Sequence, residues 1–493
     1  MLLDAFLRQC RLQPDAPALQ EKDRCLSYSE LLQSASSVAA GLQALGIHPG
    51  QPVAIHLDRG MTAVTALFGV LLAGGCYIPL DLKNPAQRLA FIVADAQVAA
   101  VLGSGSPPAW LDHSLWLDLE HCRAAQPDAV DIAANALAAI LYTSGSTGQP
   151  RGVALSHHAI AAFADWAARL VNLQAHDRIA SSTPFFFDLS TFDLYAVLSS
   201  GACVCFMPAE FCLAPARLSI WLQEQAINGW YTVPSLLAFL AYKGNLQQTL
   251  LPELRFILFA GEVFPSPALM DLAGKLPGTA MYNLFGPTET NVCCYWPVDS
   301  AQLSAGSPIP IGWAAAGCEL AIHHANPDDS GELWVRGPAL ASGYWSEGRL
   351  QPILNADGWY ATGDCVSLEQ DSYRFHGRLG RMLKCSGYRV EPAEIETVVN
   401  ALPGVKGCVA AGINDAASGQ RPALVLVLEA TVSTSDITTV PPPWYAFTSP
   451  AAATMLIASR TEGRETPNIS ASSRSGGSLS PGENSPARME LRI

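Results

Sequence analysis

The chain has 493 residues, 49% of them hydrophobic and 15% charged, with a formal net charge of −14. That length and filling describe a globular protein of more than one domain. The acidic balance excludes non-specific nucleic-acid binding, which needs a basic face. No apolar run is long enough to span a bilayer, and the start lacks a basic segment followed by a long apolar one. The expectation is a cytoplasmic protein with neither nucleic acid nor membrane as partner. The thirteen cysteines are scattered. Their only close pairs, Cys203/Cys205 and Cys293/Cys294, lack zinc-ligand spacing and read as reduced thiols.

The first 60 residues read as a helix, a segment over 26–31, a long Ala/Leu helix ending at Leu45, and a strand over 52–57. An apolar helix over 63–72 follows, then Gly74-Gly75 and a strand, then strands over 98–102 and 136–141. Helices alternating with strands predict a parallel sheet. The last of these strands runs into Leu141-Tyr-Thr-Ser-Gly-Ser-Thr-Gly-Gln-Pro-Arg-Gly152. There Gly145 and Gly148 stand among Thr143, Ser144, Ser146 and Thr147, and Arg151 closes the loop. Small residues let backbone N–H groups converge on an anion while hydroxyls donate to it, as holding a polyphosphate requires. The alternative is a Ser/Gly surface turn. The Walker A order is absent.

Beyond the loop, apolar spacing predicts a helix over 157–170. Asp188 then lies within an aromatic patch, Pro184-Phe-Phe-Phe187, either capping a helix over 189–198 or meeting a cation. Strands are expected over 201–207, 229–235 and 256–260, with a helix over 236–242. The segment Asn283-Leu-Phe-Gly-Pro-Thr-Glu-Thr290 is a second ligand-type loop, whose Glu289 is a surface carboxylate or a Mg²⁺ ligand. A strand over 331–337 opens a strand-rich region, Asp364 is an acceptor suited to sugar hydroxyls, and 375–380 marks a domain boundary. A helix over 392–401 and a strand over 423–428 complete the foldable part. From about 431 onward Ser, Thr, Pro and Gly dominate, which predicts disorder.

Segments beginning at Leu26, Leu72, Tyr142, Phe187, Asn283, Gly331, Tyr360 and Gly377 together resemble the adenylate-forming (ANL) superfamily. Within it they look like stand-alone amino-acid adenylation domains of non-ribosomal peptide synthetases. The resemblance covers residues 10–430 or so. It implies an α/β fold with a large N-terminal domain (1–378) of mixed and parallel sheets flanked by helices, plus a β-rich subdomain. A small, truncated α+β C-terminal domain (379–430) and a disordered or divergent tail (431–493) would follow. The implied activity is ATP-dependent conversion of an amino acid to aminoacyl-AMP, then transfer to the phosphopantetheine thiol of a separate carrier protein. ATP and Mg²⁺ are the implied cofactors, and an MbtH-type helper is a further candidate partner. The alternatives are an acyl- or aryl-CoA synthetase of the same superfamily and a non-catalytic relic that binds nucleotide or amino acid.

By the resemblance, Thr143, Ser144, Gly145, Ser146, Thr147 and Gly148 grip the β- and γ-phosphates, and Arg151 stands where the family has lysine. Glu289 matches the Mg²⁺ ligand, Asn283 the reader of the adenine amino group, and Phe285 the stacked aromatic, with Gly286 and Thr288 beside them. Asp364 and Arg378 match the ribose- and phosphate-contacting pair, and Phe375 replaces a common Tyr. The catalytic set is thus Thr143, Arg151 and Glu289. Asp188 matches the acid that pairs with the substrate ammonium, which argues against a CoA synthetase. Leu189, Phe192, Thr232, Leu258, Ala260, Leu284, Val292 and Cys293 complete an uncharged pocket. Such a lining leaves a charged side chain unpaired, and it resembles the pockets of stand-alone prolyl-carrier-protein ligases. Proline is the first expectation, followed by other small apolar amino acids. Two features depart from the pattern: Gly380 replaces the hinge Asp, and no lysine follows Lys406. The second removes the catalytic lysine that the resemblance implies and predicts slow adenylation.

Overall fold

The computed structural model describes residues 2–122, 125–145, 149–304, 308–324, 329–385, 388–400, 405–415, 419–428, 454–457 and 488–490. Among these residues, two large sheets carry the N-terminal part. One has eight strands in the order Arg349–Gln351, Gly343–Ser346, Arg151–Ser156, Leu137–Thr143, Cys76–Pro79, Pro52–Ile55, Ala100–Gly103 and Trp116–Asp118. The other has nine, with Ala280–Phe285, Phe256–Phe259, Gly229–Thr232, Arg178–Ser181 and Cys203–Phe206 parallel at its centre. Cys203–Phe206, Gly229–Thr232 and Phe256–Phe259 are short and buried along their length, the pattern of a sheet covered on both faces.

One continuous core joins the two sheets through helices Tyr28–Ala44, Met61–Leu72 and His157–Leu170. Met61–Leu72 is apolar on nearly every side and correspondingly buried. Its Gly69 lets it approach Tyr28–Ala44 closely: a Cβ there would lie 2.6 Å from the Val38 Cβ. Tyr28–Ala44 starts with a capping box, in which Ser27 Oγ accepts from Glu30 N at 3.2 Å and Ser27 N donates to Glu30 at 2.8 Å.

A four-stranded antiparallel sheet, Glu319–His323, Gly331–Arg336, Tyr360–Glu369 and Ser372–Arg378, forms the β-rich subdomain. A smaller α+β domain follows. It contains the hairpin Leu383–Cys385/Tyr388–Val390, the helix Pro392–Asn400, and a sheet built on the antiparallel pair Val405–Asp415/Gly419–Leu428. The stretch for which the sequence predicts disorder contributes two short strands to that sheet, Thr454–Ile457 and Arg488–Glu490. Among the described residues no helix is long and apolar enough to cross a membrane.

Three sequence expectations change. Residues 26–31 are not one segment: Pro17–Glu21 and Arg24–Ser27 form a hairpin, and the helix begins at Tyr28. The helix–strand alternation predicts parallel sheet, yet the strand over 137–143 pairs parallel with Cys76–Pro79 and antiparallel with Arg151–Ser156, so the loop between them closes a hairpin. The helix expected over 189–198 gives way to a π-helical turn, Phe192–Val197. The local cause is hydroxyl competition: Thr191 donates both N–H (2.9 Å) and Oγ1 (2.6 Å) to the Asp188 carbonyl, and Ser190 Oγ donates to the Phe187 carbonyl at 2.6 Å.

Tyr28 ties the first helix pair to the second sheet. Its ring is fully buried and its hydroxyl reaches the carbonyls of Leu198 (3.1 Å) and Ala202 (2.8 Å). Tyr28→Phe removes the hydroxyl donor from both carbonyls, of which Leu198 keeps a bond from Gly201 N at 3.4 Å, and should cost about 1–3 kcal/mol in a denaturant-unfolding measurement.

Candidate active site

The cleft lies where the two large sheets present the carboxyl ends of their parallel strands, the usual crevice of open α/β sheets. Val233, Ala260, Gly261 and Gly286, just past the ends of Gly229–Thr232, Phe256–Phe259 and Ala280–Phe285, line one side. Pro79, Thr143 and Ser144 line the other. Lys384, Tyr388, Arg389 and Val390 of the small-domain hairpin close it. The cavity left among them is about 170 Å³.

Of the expected phosphate-gripping residues, Thr143, Ser144 and Gly145 are placed here, while Ser146, Thr147 and Gly148 lie outside the described residues. Gly145 must be glycine, since a Cβ would lie 2.1 Å from the Gln149 carbonyl oxygen. Both residues face the small domain. Ser144 Oγ donates to the Arg389 carbonyl at 2.7 Å, and Gly145 N donates to Glu394 at 3.0 Å. Glu394, in the first turn of Pro392–Asn400, also accepts from Arg88 at 3.1 Å. Arg151 does not line the cleft; its guanidinium lies 4.5 Å from the Tyr344 ring centroid.

Glu289 has no exposed surface. Its carboxylate accepts from Tyr344 Oη at 2.8 Å and from Arg389 Nη1 at 3.0 and 3.3 Å. Burial alone would raise this carboxyl, but Arg389, its own backbone N–H and Tyr344 together bring it below the ordinary glutamate value. Among the described residues no cluster of three or more His, Cys, Asp or Glu exists. A metal would therefore depend on Glu289 and on the ligand's own oxygens.

Asp364 and Arg378 pair at 2.9 Å, with Asp364 fully enclosed. Burial raises the Asp364 carboxyl despite Arg378 and Lys384, and its Oδ2 has no partner among the described residues. A buried acceptor of that kind suits a ligand hydroxyl. Phe285 packs against Phe375, with centroids 5.3 Å apart, and the Lys384 ammonium lies 5.6 Å from the Phe285 centroid. Asn283 is buried, and its amide donates to the Pro310 carbonyl at 2.7 Å. Gly286 and Thr288 line the cleft as expected.

At the far end stands Asp188. Desolvation pushes its carboxyl up to about 6, against a hydrogen bond from Thr288 and the positive charge of Lys384. Leu189 and Ala260 line the cleft beside it. Phe192, Thr232, Leu258, Leu284, Val292 and Cys293, expected in the pocket wall, are buried and do not line the cleft. Thr232 Oγ1 and Ser182 Oγ are 3.0 Å apart, so the Thr232 hydroxyl has a protein partner. Tyr231 and Val233 line the cleft and were not singled out by sequence reasoning, nor were Lys384, Arg389 and Glu394. The last three sit in an ordinary-looking hairpin and first helical turn, where acids such as Glu394 already suit the helix dipole.

Comparisons with known proteins show the family. Residues 6–345 match the family described as AMP-binding enzyme. The chain belongs to that family. It is an adenylate-forming, AMP-forming ligase of the ANL superfamily, of the non-ribosomal peptide synthetase adenylation type. It is 37% identical over 417 residues to an L-proline--[L-prolyl-carrier protein] ligase of Streptomyces coelicolor, covering 77% of this chain and 78% of the relative. A protein of the same description from Pseudomonas fluorescens is 34% identical over 430 residues, covering 82% and 84%. In fold, the chain is similar to an artificially fused adenylation–PCP di-domain from Klebsiella oxytoca, with a TM-score of 0.76, 20% identity and coverage of 89% and 90%.

The Asp188 environment is open to direct measurement. Thr288→Val and Lys384→Met each remove a group that favours the charged carboxylate, so each should raise the Asp188 pKa above about 6. Carbon-detected NMR of labelled aspartate, with Asp188→Asn to assign the signal, would show the direction. A fall in either variant would contradict the arrangement.

Proposed function

We propose that this ligase activates L-proline as prolyl-AMP and passes it to the phosphopantetheine thiol of a separate carrier protein. The observation that carries the reading is Asp188 at the far end of the cleft, with the apolar side chains of Leu189, Val233 and Ala260 on the same lining. A carboxylate there pairs with the α-ammonium, and the apolar side chains of Leu189, Val233 and Ala260 suit a ring of methylenes better than a charged side chain. The two proline ligases of Streptomyces and Pseudomonas support the same substrate.

In the first step an oxygen of the substrate carboxylate attacks the α-phosphorus of ATP, and the bond to the leaving pyrophosphate breaks. The nucleophile is already ionised, so the protein needs no general base. Its work is positioning and neutralising charge. Thr143, Ser144 and Gly145 would donate to the polyphosphate, Asp364 would accept from the ribose, and Phe285 would offer its face to the adenine. Glu289 fits a Mg²⁺ ion, being a hard-oxygen donor in a buried position, and bound Mg²⁺ would neutralise phosphate charge there. In the second step the carrier thiol attacks the acyl carbon and AMP leaves. An MbtH-type helper is a further candidate partner.

Four outcomes test the reading. In ATP–pyrophosphate exchange across a panel of amino acids, proline should give the highest rate, with other small apolar amino acids next. A preference for glutamate, lysine or a fatty acid would overturn the pocket assignment. Asp188→Ala should remove about 3–5 kcal/mol of proline binding, because the ammonium would be left buried and unpaired, with AMP affinity unchanged by calorimetry. In the wild type the carboxyl must be ionised to bind the ammonium. Proline affinity should therefore hold above pH 7 and decline as pH falls through about 6. Glu289→Gln should weaken Mg·ATP and spare AMP; equal losses for both nucleotides would mark Glu289 as structural.

A further inference from the structure

Asp95 does not line the cleft, yet two features of the site hang on it. It lies on the helix Ala86–Ala96, in the same stripe as Arg88 and Ile92, which do line the cleft. Its Oδ2 accepts from Tyr142 Oη at 2.6 Å. Its Oδ1 accepts from Glu347 N at 2.8 Å and from Ser346 Oγ at 3.2 Å. Burial and the adjacent carboxylate hold the Tyr142 phenol well above its ordinary value, so it stays a donor.

The strands so joined are not neighbours. Tyr142 and Trp345 both pair with Gly152, one on each side of Arg151–Ser156. Asp95 therefore ties together two strands about 10 Å apart, with a third between them. The end of its helix also clasps the turn beyond Gly343–Ser346. Gly348 N donates to the Asp95 carbonyl at 2.8 Å, and Gln97 Nε2 donates to the Glu347 carbonyl at 3.2 Å. Glu347 and Gly348 have positive φ, 52° and 71°, as a two-residue hairpin turn requires. Each joined strand leads into the site. Tyr142 lines the cleft and is followed at once by Thr143 and Ser144. Tyr344, two residues before Ser346, donates to Glu289 at 2.8 Å.

We propose that Asp95 is a positioning residue for the polyphosphate end of ATP. Through Tyr142 it fixes the root of the phosphate loop. Through Ser346 and Glu347 it fixes the strand whose Tyr344 holds Glu289. It rests on the reading that Thr143, Ser144 and Gly145 meet the β- and γ-phosphates. The carboxylate serves three donors on two strands with its two oxygens. An amide of the same size turns one of those acceptors into a donor and cannot serve them all.

The test is ATP–pyrophosphate exchange by the full-length wild type, Tyr142→Phe, Asp95→Asn, the double variant of these two, and Thr143→Ala, with AMP titrated by calorimetry. The KM for ATP and for pyrophosphate should rise about tenfold in each of Tyr142→Phe and Asp95→Asn, the order of one charged hydrogen bond. The KM for the amino acid and the AMP dissociation constant should stay within about twofold, because neither ligand reaches the loop. The double variant should match the worse single one, since both remove one shared bond. A KM for ATP within about twofold of the wild type in either single variant, with Thr143→Ala raising it, would overturn the inference and leave the loop reading standing. So would effects that multiply in the double variant, which would show that Asp95 does not act through Tyr142. A parallel rise of every KM and of the AMP dissociation constant would mark Asp95 as structural and overturn it too. If Thr143→Ala leaves the KM for ATP unchanged, the loop reading falls and this inference with it. Should Asp95→Asn fail to fold, the split between ATP and amino acid in Tyr142→Phe decides the matter alone.

Discussion

A carboxylate with no exposed surface cannot remain ionised without a positive partner, and Glu289 sets that constraint at the centre of this molecule. Its charge is met by Arg389, from a hairpin 100 residues further along the chain, and by the Tyr344 hydroxyl. The requirement links the large domain to the small one through an ion pair, with the Arg88–Glu394 pair beside it. It also explains why the hairpin Leu383–Cys385/Tyr388–Val390 lies in the cleft and not against the outer surface. The apolar contacts of the small domain are modest, with Cys408, Ala410, Leu424 and Leu426 forming one cluster and Leu383 and Val390 another.

Much of the framework was legible because its signal is local. The helix expected over 157–170 is found as His157–Leu170, and the strands expected near 52, 256 and 331 occur within a residue or three of their assigned bounds. The same holds for the motif order that reveals the family, since each motif is a contiguous run. Strand direction was less legible. Nothing in 136–152 tells whether the chain returns beside itself, and the antiparallel pairing Tyr142 to Gly152 is decided by how the sheet is assembled. The π-helical turn was hidden too, because Thr191 and Ser190 look like ordinary helix-start residues until their hydroxyls are seen on nearby carbonyls.

The site divides along the same line. Asp188, Leu189 and Ala260 sit on the cleft surface, Phe192, Leu258 and Leu284 are buried and do not line it, and all six were read from short motifs. Arg389 and Glu394 were not, since their meaning depends on contacts 100 and 249 residues away in sequence. Arg151 shows the converse. Its place at the end of a phosphate loop suggests a phosphate contact, yet stacking on Tyr344 gives the guanidinium a protein partner, as planar cations favour.

The hairpin form of the phosphate loop carries its own consequence. Where a loop of this sort runs into a helix, the macrodipole adds a standing attraction for anions. Here the chain turns back into Arg151–Ser156, and the helix that follows begins only at His157, beyond the whole returning strand. Under the proposed reading, a polyphosphate would be held by individual hydroxyl and N–H donors, with the next helix one whole strand away. Such a grip can be undone one bond at a time. For an AMP-forming ligase, a weak hold on the leaving pyrophosphate favours forward commitment over re-formation of ATP.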